Sequence, residues 1–263
     1  MEKPERNPVS KTLRVLNWLI ESSPPQVGVR QVAAAMNIAP SSAHRILLAL
    51  SEAGYVRQDR QTQRYTLGKE FFRLSQIAVA KAPLREVALA AMQRLVDTFK
   101  ESALLCVYDE WRQEVTFAAA VDSNRSMKRL IEMNKWLPVR SGASGLAILA
   151  CLKEAEVQSI ARRANFYRHS NTDLAEPDHL RSELAGVRYK GYASARCHST
   201  TGGVCLAAPI FGSRGKVLGT ICVTVPQERA EKDSMEQLIN GMLYCANDVT
   251  KNMYGDIRSL KTG

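Results

Sequence analysis

The chain has 263 residues, 45% of them hydrophobic and 24% charged, with a formal net charge of +10. That composition excludes a disordered or fibrous chain, and the length predicts two domains with a sizeable core. The positive excess is concentrated at one end: residues 1–83 carry 12 Lys and Arg against 6 Asp and Glu, the other 180 carry 24 against 20, which favours a polyanionic partner for the first module because Lys and Arg on phosphates release condensed counterions.

Residues 1–9 are polar with two prolines and predict a flexible start. Ser10 is a cap for a first helix whose Leu13, Leu16, Leu19 and Ile20 pack inward, ended by Ser22-Ser23-Pro24-Pro25. A second helix from about Val29 to Met36 buries Val32, Ala33 and Met36. After the breaker run Asn37-Ile38-Ala39-Pro40, a third helix begins at Ser41-Ser42, with Ala43, Ile46, Leu47 and Leu50 at the i, i+3, i+4, i+7 spacing of a buried stripe. At about 100° per residue, Ser41, Arg45 and Glu52 point away from that stripe, flanked by Ser42, His44 and Ala49. Gly54 turns the chain out, and Tyr55–Gln58 and Arg64–Leu67 are short strands around the polar tip Asp59–Gln63.

Helix, tight turn, helix and basic hairpin is the order of a winged helix-turn-helix over residues 10–68, whose reading helix enters the major groove of duplex DNA. The DNA contacts it nominates are Ser41, Ser42, His44 and Arg45 on that helix, with Arg57, Arg60 and Arg64 of the wing on phosphates. Each has a plainer use: Arg45 pairing with Glu52, His44 bonding to its own domain, and the wing arginines as ordinary surface charge. Leu48, apolar on the exposed face, fits either a thymine methyl or packing against a neighbouring helix.

From Lys69 to Ala82 the pattern KEFFRLSQIAVAKA is helical, with Phe71, Leu74 and Ala78 on one side, and it stops at Pro83, giving a linker helix over 69–83. Leu84–Lys100 repeats the helical logic with Leu84, Val87, Ala88, Ala91 and Leu95 in one stripe, opening a second domain over 84–263. There Leu104–Tyr108, Val115–Val121, Val204–Ile210 and Val217–Val225 read as strands, and Gly145–Leu152, Asp178–Lys190 and Asp233–Tyr254 as helices. Lacking a βαβ rhythm, the domain is expected to be α+β, an antiparallel sheet flanked by helices.

Several chemistries lack their residues. No apolar run approaches the ~20 residues that span a bilayer, and MEKPERNPVS has no apolar leader segment, so a cytoplasmic protein without a membrane partner is expected. Cys106, Cys151, Cys197, Cys205, Cys222 and Cys245 are scattered without a CxxC pair, which points to reduced thiols; Cys197-His198 with Cys205 lacks a fourth ligand, so no metal is expected. P-loop, GxGxxG and HExxH motifs do not occur, and Gly142-Ala143-Ser144-Gly145 lacks nucleophile-elbow spacing, so neither a cofactor nor catalysis is expected.

Three segments together resemble the IclR (isocitrate lyase regulator) family of bacterial transcription factors over about residues 10–255: IAPSSAHRILLALSEAG followed by RYTLG, LPVRSGASGLAILACL, and KGYASARCHSTTGGVCLAAPIFGSRGKVLGTICVTVP. The resemblance implies a GAF-like effector-binding domain behind the DNA-binding domain, a homodimer or homotetramer, and a near-palindromic operator. It also implies an effector pocket with backbone N–H donors from Ala143 and Ser144 and side chains from Arg196, His198, Cys205, Cys222 and Thr224. The commoner family pattern has an acid about where His198 stands and serine about where Cys222 stands. A rim made more cationic by Arg196 and His198 suits a small organic acid effector, such as a keto, aromatic or sugar acid. Two other readings are a DNA-binding thiol redox sensor working through Cys197 or Cys205, and an enzyme acting on a small acid, for which no nucleophile and base can be named.

Overall fold

The computed structural model describes residues 7–21, 26–80, 83–124, 132–139, 142–162, 177–197, 203–229 and 232–254. The chain divides into two units, residues 1–82 and 83–263.

The first unit runs α1 (Pro8–Glu21), α2 (Val29–Met36), α3 (Pro40–Glu52), β1 (Val56–Gln58), β2 (Tyr65–Leu67) and α4 (Lys69–Ala80). Pro8 opens α1 where its missing N–H is no loss, and Asn7 Oδ1 accepts the N–H of Val9 at 2.9 Å, so the cap is Asn7 and not Ser10. Asn37 takes the left-handed conformation that ends α2 (φ 52°), and Pro40 then starts α3. Val15, Leu19, Val32, Ala33, Ala43, Leu47, Leu50, Val56 and Tyr65 form one core. Leu13 and Ile20, expected inside, are instead exposed, and Val15 is buried in their place. α1 has apolar residues on two sides, and its periodicity does not choose between them. Met36 is half-buried rather than core.

The wing pairs antiparallel from Val56↔Leu67 to Gln58↔Tyr65, and Val27 adds an isolated bridge to Tyr65. Gly54 turns at φ +77°, and Gly68 lies so close that a Cβ there would sit 2.1 Å from the Gly54 carbonyl oxygen. Only glycine allows that approach, which lets the Gly68 N–H reach the Tyr55 carbonyl at 2.7 Å and locks the foot of the hairpin.

The second unit runs α5 (Pro83–Phe99), β3 (Ser102–Asp109), β4 (Glu114–Val121), β5 (Leu137–Pro138), α6 (Gly142–Cys151), α7 (Glu154–Ala161), α8 (Pro177–Lys190), β6 (Ala193–Cys197), β7 (Gly203–Phe211), β8 (Val217–Pro226) and α9 (Lys232–Tyr254). Its six strands lie in the order β5-β4-β3-β8-β7-β6, every neighbouring pair antiparallel. Side chains alternate between two cores because successive strand residues face opposite ways. Leu104, Cys106 and Cys222 face α6, α7 and α8, whereas Leu105, Ile221 and Val223 face α5 and α9. Being buried on both faces explains why β3 and β8 read as unbroken apolar runs. The short β5 and β6 and the amphipathic α7 were not legible as elements in the sequence.

Candidate DNA interface and effector site

The buried residues of α3 are Ala43, Leu47 and Leu50, which seat the helix on the core and leave its opposite side to solvent. Ser41, His44 and Arg45 are exposed there, Ser42 is half-buried, and Ile46 is half-buried rather than fully in the stripe. Leu48 is 48% exposed on the same side, with Ala49 beside it. Arg45 makes no ion pair with Glu52 among the described residues, so its guanidinium remains available.

At the wing, Asp59 Oδ1 accepts the N–H groups of Gln61 and Thr62 and the Thr62 hydroxyl at 2.8–3.0 Å, tying the tip into one shape. The Thr62 N–H and hydroxyl, followed by the Gln61 N–H, hold the Asp59 carboxyl below its ordinary range. Arg57 and Arg60 are exposed, and neither forms a salt bridge among the described residues. Arg64 is exposed too, but its Nη1 donates to the Gln26 carbonyl at 3.2 Å, which joins the hairpin to the chain ahead of α2. Arg30, exposed in the first turn of α2, adds a cation to this unit that the sequence reading passed over; its signal was a basic residue in the first turn of the supporting helix.

In the second unit the strand register brings part of the expected effector site together. Cys205 and Thr224 are cross-strand partners on β7 and β8, with Sγ and Oγ1 3.9 Å apart, and Cys222 is two residues from Thr224 on the same face. Ser144 in the first turn of α6 meets that face, its Oγ 2.7 Å from Cys222 Sγ. Ala143 is buried, and Gly142 enters the helix at φ +76°. Unpaired N–H groups at such a helix start favour an anion.

Two residues missing from the sequence reading complete the wall: Thr220, buried with Oγ1 3.1 Å from Cys222 Sγ, and Cys106 on the neighbouring strand. The i, i+2 spacing of Thr220, Cys222 and Thr224 along one strand face was the available signal.

Arg196 is not brought to this wall. It pairs with Val204, one residue out of step with the Ala195↔Cys205 pair, so it lies on the opposite sheet face, and it is exposed. The one-residue alternation of a strand is the physical reason. His198 lies outside the described residues, so the cationic rim stays an expectation.

Four thiols, none of them Cys197 or Cys205, are kept neutral. Burial pushes Cys106 and Cys222 above their ordinary range, Cys151 up to about 11 and Cys245 up to about 12. Thiols held protonated are poor redox centres. No helix among the described residues is long and apolar enough to cross a membrane.

The family model described as the C-terminal domain of the bacterial transcriptional regulator IclR matches residues 76–251, and the IclR helix-turn-helix model matches residues 8–60. The transcriptional repressor IclR of Escherichia coli is 24% identical over 250 residues, covering 95% of this chain and 90% of that protein. The glycerol operon regulatory protein of Streptomyces coelicolor is 27% identical over 230 residues, covering 87% and 89%. A crystal structure of an IclR homologue of Microbacterium hydrocarbonoxydans complexed with 4-hydroxybenzoate superposes with a TM-score of 0.76 at 21% identity, covering 92% of this chain and 99% of that one. With a reading helix in the first unit and an antiparallel α+β domain in the second, both matched by their family models, the chain belongs to the IclR family of bacterial transcriptional regulators.

Proposed function

We propose that the exposed face of α3, from Ser41 to Arg45, reads an operator in the major groove while Arg57 and Arg60 hold phosphates on either side of it. The observation that carries this is the division of α3 into a buried Ala43–Leu47–Leu50 stripe and an opposite side with a free arginine. Arg64, already bonded to Gln26, acts more through the shape of the wing than through DNA. The protein works as a homo-oligomer on a two-fold operator, with half-sites about one helical turn or a multiple apart. Val9, Leu13 and Ile20 support pairing between copies: they form one apolar stripe along α1 left exposed by the described residues of the unit.

A small organic acid controls the DNA-bound state from the wall formed by Ser144, Cys205, Cys222 and Thr224, its carboxylate on the N–H groups that open α6. The relative from Microbacterium hydrocarbonoxydans, crystallised with an aromatic acid, supports that class of ligand. Such an effector shifts operator affinity by its differential affinity for the two states, typically ~1–3 kcal/mol.

Gel shifts on the DNA upstream of the protein's own gene test both parts. Arg45→Ala is expected to weaken operator binding by about 10- to 100-fold, the worth of a well-placed base or phosphate contact, with oligomerisation unchanged. Unaltered footprints would remove α3 as the reading helix. Ser144→Val is expected to abolish the response to organic acids while leaving ligand-free DNA binding intact.

A further inference from the structure

In the second unit a separate cavity opens where the sheet loses its outer strand. β6 pairs with β7 only along Gly203–Ala207, so Ala208–Phe211 has an open edge among the described residues. The cavity there is about 520 Å³, walled by the last turns of α6 and α8, by Pro209 and Phe211 of β7, and by Leu243 and Asn247 of α9. That volume falls in the range of about 300–1,000 Å³ used by small-molecule sites. It does not suit a strand added to the edge, because Pro209 has no N–H and the Phe211 N–H is taken by Thr250 Oγ1 at 3.1 Å.

Among the described residues lining this cavity one is charged, Arg188, which is exposed at its mouth and also borders the groove of Glu154, Arg162 and Arg181. Arg188 of α8 donates from Nε to the Ala150 carbonyl at 2.7 Å, which satisfies an open carbonyl at the end of α6 and fixes the side chain. No carboxylate pairs with its guanidinium, and the side-chain amide of Asn247 forms no hydrogen bond, among the described residues. Neighbouring acids are engaged elsewhere, Asp248 with Arg94 and Glu154 with Arg181. Burial pushes the Cys151 thiol in the wall up to about 11, so at neutral pH it adds no negative charge.

We propose that this cavity is a second ligand site that takes a small apolar carboxylate, its hydrocarbon body against Pro209, Phe211 and Leu243 and its carboxylate on Arg188, with the Asn247 amide as a further donor. A guanidinium with free donors at the mouth of an apolar cavity selects an anion by charge-assisted hydrogen bonding. The site is about 10 Å along α6 from Ser144, so one rigid helix joins it to the effector wall.

Photolabelling of the full-length protein with 4-benzoylbenzoate, an apolar carboxylate, tests this, with its uncharged methyl ester as control and labelled peptides mapped by mass spectrometry. The expected result is saturable labelling within residues 147–151, 187–191 or 243–250, at least about tenfold weaker for the ester and for Arg188→Gln. Asn247→Phe, an exposed substitution that narrows the mouth without disturbing the core, is expected to abolish it and covers the case in which Arg188→Gln fails to fold. Labelling that fragment ions confine to residues 141–146 or 220–224, unchanged labelling in Asn247→Phe, or no saturable labelling of the wild type, as when another copy of the chain fills the groove, would each overturn the proposal.

Discussion

Arg45, Arg57 and Arg60 have different physical settings from Arg64, although all four looked alike as basic residues in a basic module. Among the described residues the first three lack ion pairs, whereas Arg64 spends a donor on the Gln26 carbonyl. Asp59, an acid beside those cations, is a folding residue: its carboxylate gathers two backbone N–H groups and a hydroxyl at the wing tip. Because those bonds hold its pKa below the ordinary value of 3.8, their contribution is complete above that pH and fades as pH falls through the lowered value. Asp59→Ala is therefore expected to loosen the tip and weaken operator binding by roughly three- to tenfold at neutral pH, measured by gel shift. An affinity equal to wild type would mean that the shape of the tip does not matter. In the second unit, Glu101 is buried and receives both Nε and Nη2 of Arg229 at 2.7 and 2.9 Å. Glu101→Ala leaves that arginine without its carboxylate, and a loss of about 1–3 kcal/mol in denaturant unfolding is expected.

Among elements, α1 is the one on which the proposed pairing between copies rests. Its Val15 and Leu19 serve the core, while Val9, Leu13 and Ile20 are 65%, 54% and 42% exposed along one line. α4 adds Phe72 and Ile77, also exposed on the same unit. Large apolar side chains aligned in this way support the proposed pairing between copies. Leu13→Glu combined with Ile20→Glu is expected to shift the protein toward smaller species in sedimentation and to reduce operator affinity by more than about tenfold, because a two-fold operator rewards simultaneous binding of both heads. The monomer fold should survive, since neither residue is buried. Unchanged sedimentation would place the pairing surface elsewhere.

For the whole molecule, the neutral thiols of the second unit couple stability to alkaline pH. An unfolded thiol ionises near 9.0, whereas Cys151 and Cys245 in the fold are pushed up to about 11 and about 12. Raised folded values mean that stability is level below pH 9 and declines as pH climbs toward 11 to 12. Urea midpoints between pH 8 and 10.5 should show that decline, and Cys151→Ala should make it shallower. Equal slopes for variant and wild type would mean that Cys151 does not carry the effect. The same burial weighs against a redox switch at Cys106, Cys151, Cys222 or Cys245, and no comparison favours one.

Local pattern was sufficient for the reading helix, the wing and the central strands, because each of these is decided within one or two turns of chain: Pro40 and Gly54 bound α3, and β3 and β8 announce themselves as apolar runs. It was insufficient where two answers shared one pattern. The stripe of Leu13, Leu16, Leu19 and Ile20 in α1 has the right period for a core, yet only tertiary packing turns the helix so that Leu19 and Val15 enter the core while Leu13 and Ile20 stay exposed. Likewise the closeness of Arg196 to Cys197, Cys205 and Thr224 in the segment match said nothing about faces. The β6–β7 register puts Arg196 across the sheet from Cys205 and leaves Ser144, Cys205, Cys222 and Thr224 together. Residue types and spacing determine what a segment is able to bury or bond. Which of its sides does so depends on neighbours distant in sequence, and that choice belongs to the tertiary structure.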